Sequence, residues 1–204
     1  RIKRNSMTGG TPGGKDRAPW SPALPSRYWA QLTTADFGSI DTSACVAVLQ
    51  AAATEQHGPH LPLNVDTVIA DGLVEATIAR LESACPVLFL PTQVIGKSDE
   101  HLAFAGTLSL DAATLAATWR AIGRAVASAG VRRLVLFNTH GGNVSTMDIA
   151  GRSLRVDEGL AVFSVNWYDL GLPAGIADAD ELRFGVHALG EGAVDLLIER
   201  CCRG

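Results

Sequence analysis

The segment Thr54-Glu55-Gln56-His57-Gly58-Pro59-His60-Leu61-Pro62-Leu63-Asn64-Val65-Asp66-Thr67 gathers carboxylates and imidazoles at a density that packing alone does not call for. Glu55 and His57 are two residues apart, so on chain that stays extended both side chains project to the same side. Asp66 follows a proline-containing turn and opens a helical pattern, which lets it swing back toward the same point. A Glu, His and Asp donor set suits Zn2+, with Mn2+ or Fe2+ as further fits, better than Ca2+ or Mg2+, which want mostly oxygen. Asp66 also has a plainer reading, since Asp ahead of a helix is commonly just an N-cap.

The elements around this segment must bring other chemistry to it. Residues 45–49 are an apolar run without alternation, as in a strand buried on both faces. A helix is expected from Asp66 to about Ser83, with Ile69, Leu73 and Ala76 on one face. Strands are expected at 87–90, 134–137 and 160–165. A helix capped by Asp111 carries the stripe Leu115, Trp119, Ile122, Val126 and ends at Gly130, and another opens from the turn after His140 and runs to about Val156. Alternating strands and helices predict an α/β fold, a mostly parallel sheet with helices on both faces. Ligands of such sheets bind beyond the carboxyl ends of the strands. Glu55 and His57 follow the first strand, His101 the second, His140 the third and Trp167 the fourth, so one site is expected there. The stretch from Pro91 to Leu110, which holds Glu100 and His101, is too long for a mere connection. His60, close to two prolines, reads as structural.

Composition narrows the function classes. A chain of 204 residues with 47% hydrophobic and 19% charged residues is globular, and residues 20–204 are expected to form one domain. Net charge is −4 and basic residues bunch only at the start, which disfavours nucleic acid as a partner. No run of eighteen apolar residues and no apolar leader is found, so no membrane association is expected. The four cysteines lack CxxC spacing, and a reducing cytoplasm fits them. Residues 1–19, rich in Gly, Pro, Ser and basic residues, read as a flexible N-terminal extension or a remnant of expression.

Three stretches resemble, in order, the signature motifs of the creatininase family: residues 54–63, Phe104-Ala105-Gly106-Thr107-Leu108-Ser109-Leu110, and Asn138-Thr139-His140-Gly141-Gly142-Asn143. The resemblance implies a three-layer α/β/α sandwich, a homo-oligomer that is usually a hexamer, and a divalent metal site of one or two ions. It also implies hydrolysis of a non-peptide amide by a metal-activated water. Family members open the cyclic amide of creatinine, remove a formyl group, or trim a modified peptide. By resemblance Glu55 and His140 hold one metal, His57 the other, and Asp66 bridges them. His101 and Trp167 are expected to contact a small amide substrate, and His187 to donate a proton. A degenerate member that binds metal or ligand without turnover is the alternative from another class, and a peptidase trimming a modified peptide is the alternative that shares the fold.

Two departures stand out. Creatininase proper has a glutamate ligand two residues beyond this histidine, where Gly142 stands here. The resemblance to a later glutamate-bearing segment breaks immediately after Ala188, where Glu191 is the nearest surrogate, so a segment is expected to be missing at that point.

Overall fold

Every residue of the first strand is buried, and that single fact sets the architecture, because a strand with two covered faces needs a helical layer on each. The computed structural model describes residues 24–170. In chain order these form a short helix α1 (Thr34–Ser39), strand β1 (Val46–Ala51), helix α2 (Val65–Arg80), strand β2 (Val87–Phe89), helix α3 (Ala112–Ser128), strand β3 (Arg133–Asn138), helix α4 (Val144–Asp157) and strand β4 (Ala161–Asn166). The sheet order is β2-β1-β3-β4 and every pairing is parallel. This is the α/β sandwich expected from the sequence.

Alternation along the strands sends side chains to two cores. Ala47, Leu49, Leu134 and Leu136 pack with Leu115, Trp119, Met147 and Leu154 of α3 and α4. Val46, Val48, Val135 and Phe137 pack with Ile69, Leu73 and Val74 of α2. One helix therefore covers one face and two cover the other. At Gly123 an added Cβ would come within 2.6 Å of Leu154 Cδ2, so the small residue sets how closely α3 and α4 approach.

The chain order also creates a reversal. From β1 the chain crosses through α2 to β2 on one side, and later strands build outward on the other side of β1. The connections leaving β1 and β3 diverge at their carboxyl ends, which opens a crevice between them.

Most boundaries agree with the sequence reading to within a residue or two; α2 stops at Arg80, short of Ser83. Helix α1 was not anticipated: it is a single short segment held by a capping box in which the Thr33 and Asp36 side chains each accept the other's backbone N–H. Asp66 is not an N-cap. Asn64 holds that position, and Asp66 sits inside the first turn of α2, buried. Cys45 is a buried free thiol. No described helix is long and apolar enough to cross a membrane. Residues 1–19, His187, Ala188 and Glu191 lie outside the described residues.

Leu154→Ala should lower stability by about 2–5 kcal/mol, since it empties a packed site between α3 and α4. Val156→Ala, two residues on at a position 84% exposed, should stay within about 0.5 kcal/mol. Urea unfolding of the two variants checks this; equal losses would contradict the packing described.

Candidate metal centre

The crevice between β1 and β3 receives groups from three elements. Glu55 and His57 come from the loop after β1, which is pinned by Glu55 N–H donating to Leu63 O at 2.9 Å and by Leu108 N–H donating to Thr54 O at 2.9 Å. Asp66 comes from the first turn of α2, and Thr139 Oγ1 donates to its backbone carbonyl at 2.9 Å. His140 follows β3. Its turn is knitted by amides: Asn138 Nδ2 donates to His140 O at 2.7 Å, His140 N–H donates to Asn138 Oδ1 at 3.2 Å, and Asn143 Nδ2 donates to Ala52 O at 3.1 Å.

These elements bring the predicted groups together. His140 Nδ1 lies 3.2 Å from Glu55 Oε1 and 3.3 Å from Asp66 Oδ2, and His57 Nε2 lies 3.4 Å from Asp66 Oδ1. Glu55, Asp66 and His140 are all buried and each offers a ligand atom within 4.8 Å of the others. Burial of two carboxylates is costly unless positive charge compensates. Glu55 Oε2 and Asp66 Oδ2 are buried and accept no hydrogen bond. Carboxylate oxygens orphaned in this way, converging with an imidazole, fit a divalent cation of the zinc or manganese type.

The outer partners of the imidazoles agree with that fit. His140 Nε2 donates to Lys97 O at 2.8 Å, and His57 Nδ1 donates to Glu55 O at 3.1 Å. A carbonyl can only accept, so each ring is held with its other nitrogen, the one facing Asp66, free to carry a lone pair. Without a cation, a proton takes that place on His140. Burial alone would lower its pKa, but the Asp66 and Glu55 carboxylates and the Lys97 carbonyl outweigh burial and raise it to about 10. Glu55 is held below its ordinary value: burial would raise it, and hydrogen bonding to His140 together with the His140, Ser98 and His101 neighbours more than offsets that.

The remaining residues divide. His101, from the 3-10 turn Asp99–His101, reaches the centre, its Nε2 3.7 Å from Glu55 Oε2. Trp167 stands at the same sheet edge but half-buried against the cluster on the α2 face, its ring 6.4 Å from that of Tyr168. Glu100 was named in the sequence only as part of a long loop, yet Glu55, Glu100 and His101 also bring ligand-type atoms within 4.8 Å of one another. Gly142 explains how. A Cβ there would collide with Lys97 O and lie 2.5 Å from His140 Nε2 and 2.8 Å from Glu100 Oε1. The loop over 97–101 therefore occupies the space that a side chain at 142 would need. Nothing local in the sequence carries that closure.

Known proteins resemble this chain in sequence and fold. The family model described as creatininase, creatinine amidohydrolase, matches residues 30–191. The mycofactocin precursor peptide peptidase of Mycobacterium tuberculosis is 37% identical over 133 residues, covering 62% of this chain and 53% of that protein. Creatinine amidohydrolase of Pseudomonas putida is 39% identical over 136 residues, covering 64% and 52%. The chain thus spans about half the length of these curated relatives. A solved creatininase structure in its Mn form matches with a TM-score of 0.61 at 30% identity, over 78% of this chain and 63% of that one. A mutant creatininase of Zn-Zn type matches with the same TM-score and identity, over 78% and 62%.

In chelator-treated protein, the raised His140 pKa makes the protonated ring the stabilising form. Its contribution is complete below about pH 6.5 and is lost as pH rises through about 10. Urea unfolding of wild type and His140→Gln across that range should show a stability difference that shrinks as pH rises. A difference that stays flat would contradict the charge coupling described.

Proposed function

The chain belongs to the creatininase family, and from that membership we propose that it is a metal-dependent hydrolase of an amide C–N bond. The observation that supports this most directly is the convergence of buried Glu55, Asp66 and His140 with two carboxylate oxygens left without hydrogen bonds. Glu55 and His140 would hold one divalent ion and His57 a second, with Asp66 shared between them. Zinc is the first choice on donor chemistry, with manganese or iron as alternatives. When bound, such an ion supplies Lewis acidity for polarising a carbonyl and acidifying water.

The chain's own groups have complementary tasks. The Lys97 and Glu55 carbonyls fix the His140 and His57 rings in orientation. Trp167, which follows the carboxyl end of β4, is assigned a substrate contact, and His187 the proton donor role that the family resemblance gives it. The setting proposed is a cytoplasmic homo-oligomer with no nucleic-acid or membrane partner.

The substrate is an amide smaller than a folded protein: a small cyclic or formyl amide, or the tail of a modified peptide. Gly142 in place of a glutamate weighs against creatinine. The peptide reading is supported by the 37% identity to a protein named mycofactocin precursor peptide peptidase, and the small cyclic amide by the 39% identity to one named creatinine amidohydrolase.

Asp66 gives the sharpest test. Asp66→Ala should lose most bound metal and essentially all hydrolysis, measured by elemental analysis and a panel of creatinine, formyl amides and short peptides. Asp66→Asn should keep the fold, since Asn64 holds the cap position, yet lose metal affinity with the charge. Chelation should abolish turnover and added Zn2+ or Mn2+ should restore it. An Asp66→Asn protein with full metal and undiminished turnover would remove Asp66 from the centre. Metal binding with no turnover of any amide would favour the degenerate member.

A further inference from the structure

Three imidazoles face the Glu55 and Asp66 carboxylates, and the polarity of what holds each ring from behind separates them. His57 and His140 are held by backbone carbonyls, which accept. His101 is held by the side chain of Gln56, whose Nε2 lies 3.0 Å from His101 Nδ1. An amide could present either its oxygen or its nitrogen to the ring, and chemistry decides which. Gly58 N–H, which can only donate, contacts Gln56 Oε1 at 2.9 Å. The oxygen is thereby committed to Gly58, and the nitrogen, a donor, is left for His101. Nδ1 must then accept, so the proton of the neutral ring sits on Nε2. That N–H faces the centre. Glu55 Oε2, at 3.7 Å, is beyond hydrogen-bond reach, and no other described group takes it.

We infer that His101 is a fixed hydrogen-bond donor for the carbonyl oxygen of the amide substrate, and that Gln56 is the residue that positions it by dictating its tautomer. The inference rests on the amide-hydrolase reading. It also settles the chemistry of the second cluster. Glu55, Glu100 and His101 lie close enough for a cation, but a ring that presents N–H has no lone pair to give one. Ligation by His101 Nε2 would need Nδ1 to become a donor, facing the Gln56 NH2. The amide would have to turn over and abandon Gly58. His101 is anchored for the donor role by its own turn: its backbone N–H donates to Ser98 O at 3.0 Å, its carbonyl accepts from Phe104 N–H at 3.0 Å, and its ring lies 6.2 Å from that of Phe104.

Gln56→Glu tests this with no change of shape. One carboxylate oxygen can still accept from Gly58, while the other now requires a proton on His101 Nδ1. Solid-state 15N–13C spectra of histidine-labelled, zinc-loaded protein, assigned with His101→Gln, report the tautomer directly and need no substrate. Wild type should show His101 protonated at Nε2, and Gln56→Glu should show it protonated at Nδ1. His101→Ala should keep wild-type zinc stoichiometry. With whichever amide the panel identifies, kcat/KM should fall roughly tenfold in both Gln56→Glu and His101→Ala, as for loss of one hydrogen bond. A wild-type ring protonated at Nδ1 overturns the inference, as does a tautomer unmoved by Gln56→Glu, loss of zinc in His101→Ala, or unaltered kcat/KM in both variants. If no amide is turned over, the hydrolase reading fails on that arm, and with it the substrate role of His101, while the spectra still decide the tautomer.

Discussion

Two carboxylates buried within reach of one imidazole are the constraint on which the rest of this structure depends. Glu55 is 6% exposed and Asp66 5% exposed, and neither has a lysine or arginine beside it among the described ion pairs. Water is nearly excluded, so the charge must be met from within the crevice. A proton on His140 meets part of it, and a divalent cation would meet more. The surrounding hydrogen bonds are arranged around that demand. Asn138 and Asn143 hold the turn that carries His140, and Thr139 ties that turn to the carbonyl of Asp66. Loops that would otherwise move independently are thus locked to one another where the charge is densest.

The sheet supplies the coordinates for this arrangement. Because β1 and β3 are neighbours whose outgoing connections part company, their ends present ligands across a gap and not along a line. The α2 helix begins at that gap, which places Asp66 opposite His140 with its backbone already ordered. The loop over 97–101 closes the remaining side, bringing Lys97 O behind His140 and His101 beside Glu55. A centre built this way draws its precision from rigid elements on two sides and from hydrogen-bonded loops on the others.

The strands and the two long helices on the α3 and α4 face were legible in the sequence because their signals are local. Apolar runs at 45–49 and 134–137 need no partner to be recognised, and Asp111 caps α3 through its own neighbour Thr114. Glu55, His57, Asp66 and His140 were legible through residue type, spacing and the strand-end rule. What could not be read was whatever depends on two distant segments meeting. The N-cap ambiguity of Asp66 is removed only by seeing that Asn64 precedes the helix and that Thr139 grips the Asp66 carbonyl. Glu100 enters the site only because the loop folds onto Gly142, and the direction in which His101 presents its proton depends on Gln56 and Gly58 acting in series. Helix α1 is too short to announce itself by periodicity and rests on a single reciprocal cap.

The contact between Gly142 and the loop carries a consequence for substitution. Any side chain at that position would meet Lys97 O, which is backbone and cannot be relieved by a rotamer change. A glutamate in place of this glycine therefore requires the loop over 97–101 to move, and with it the carbonyl that orients His140. A side chain at 142 and the present anchor of His140 on Lys97 O are therefore alternatives that this backbone cannot hold together.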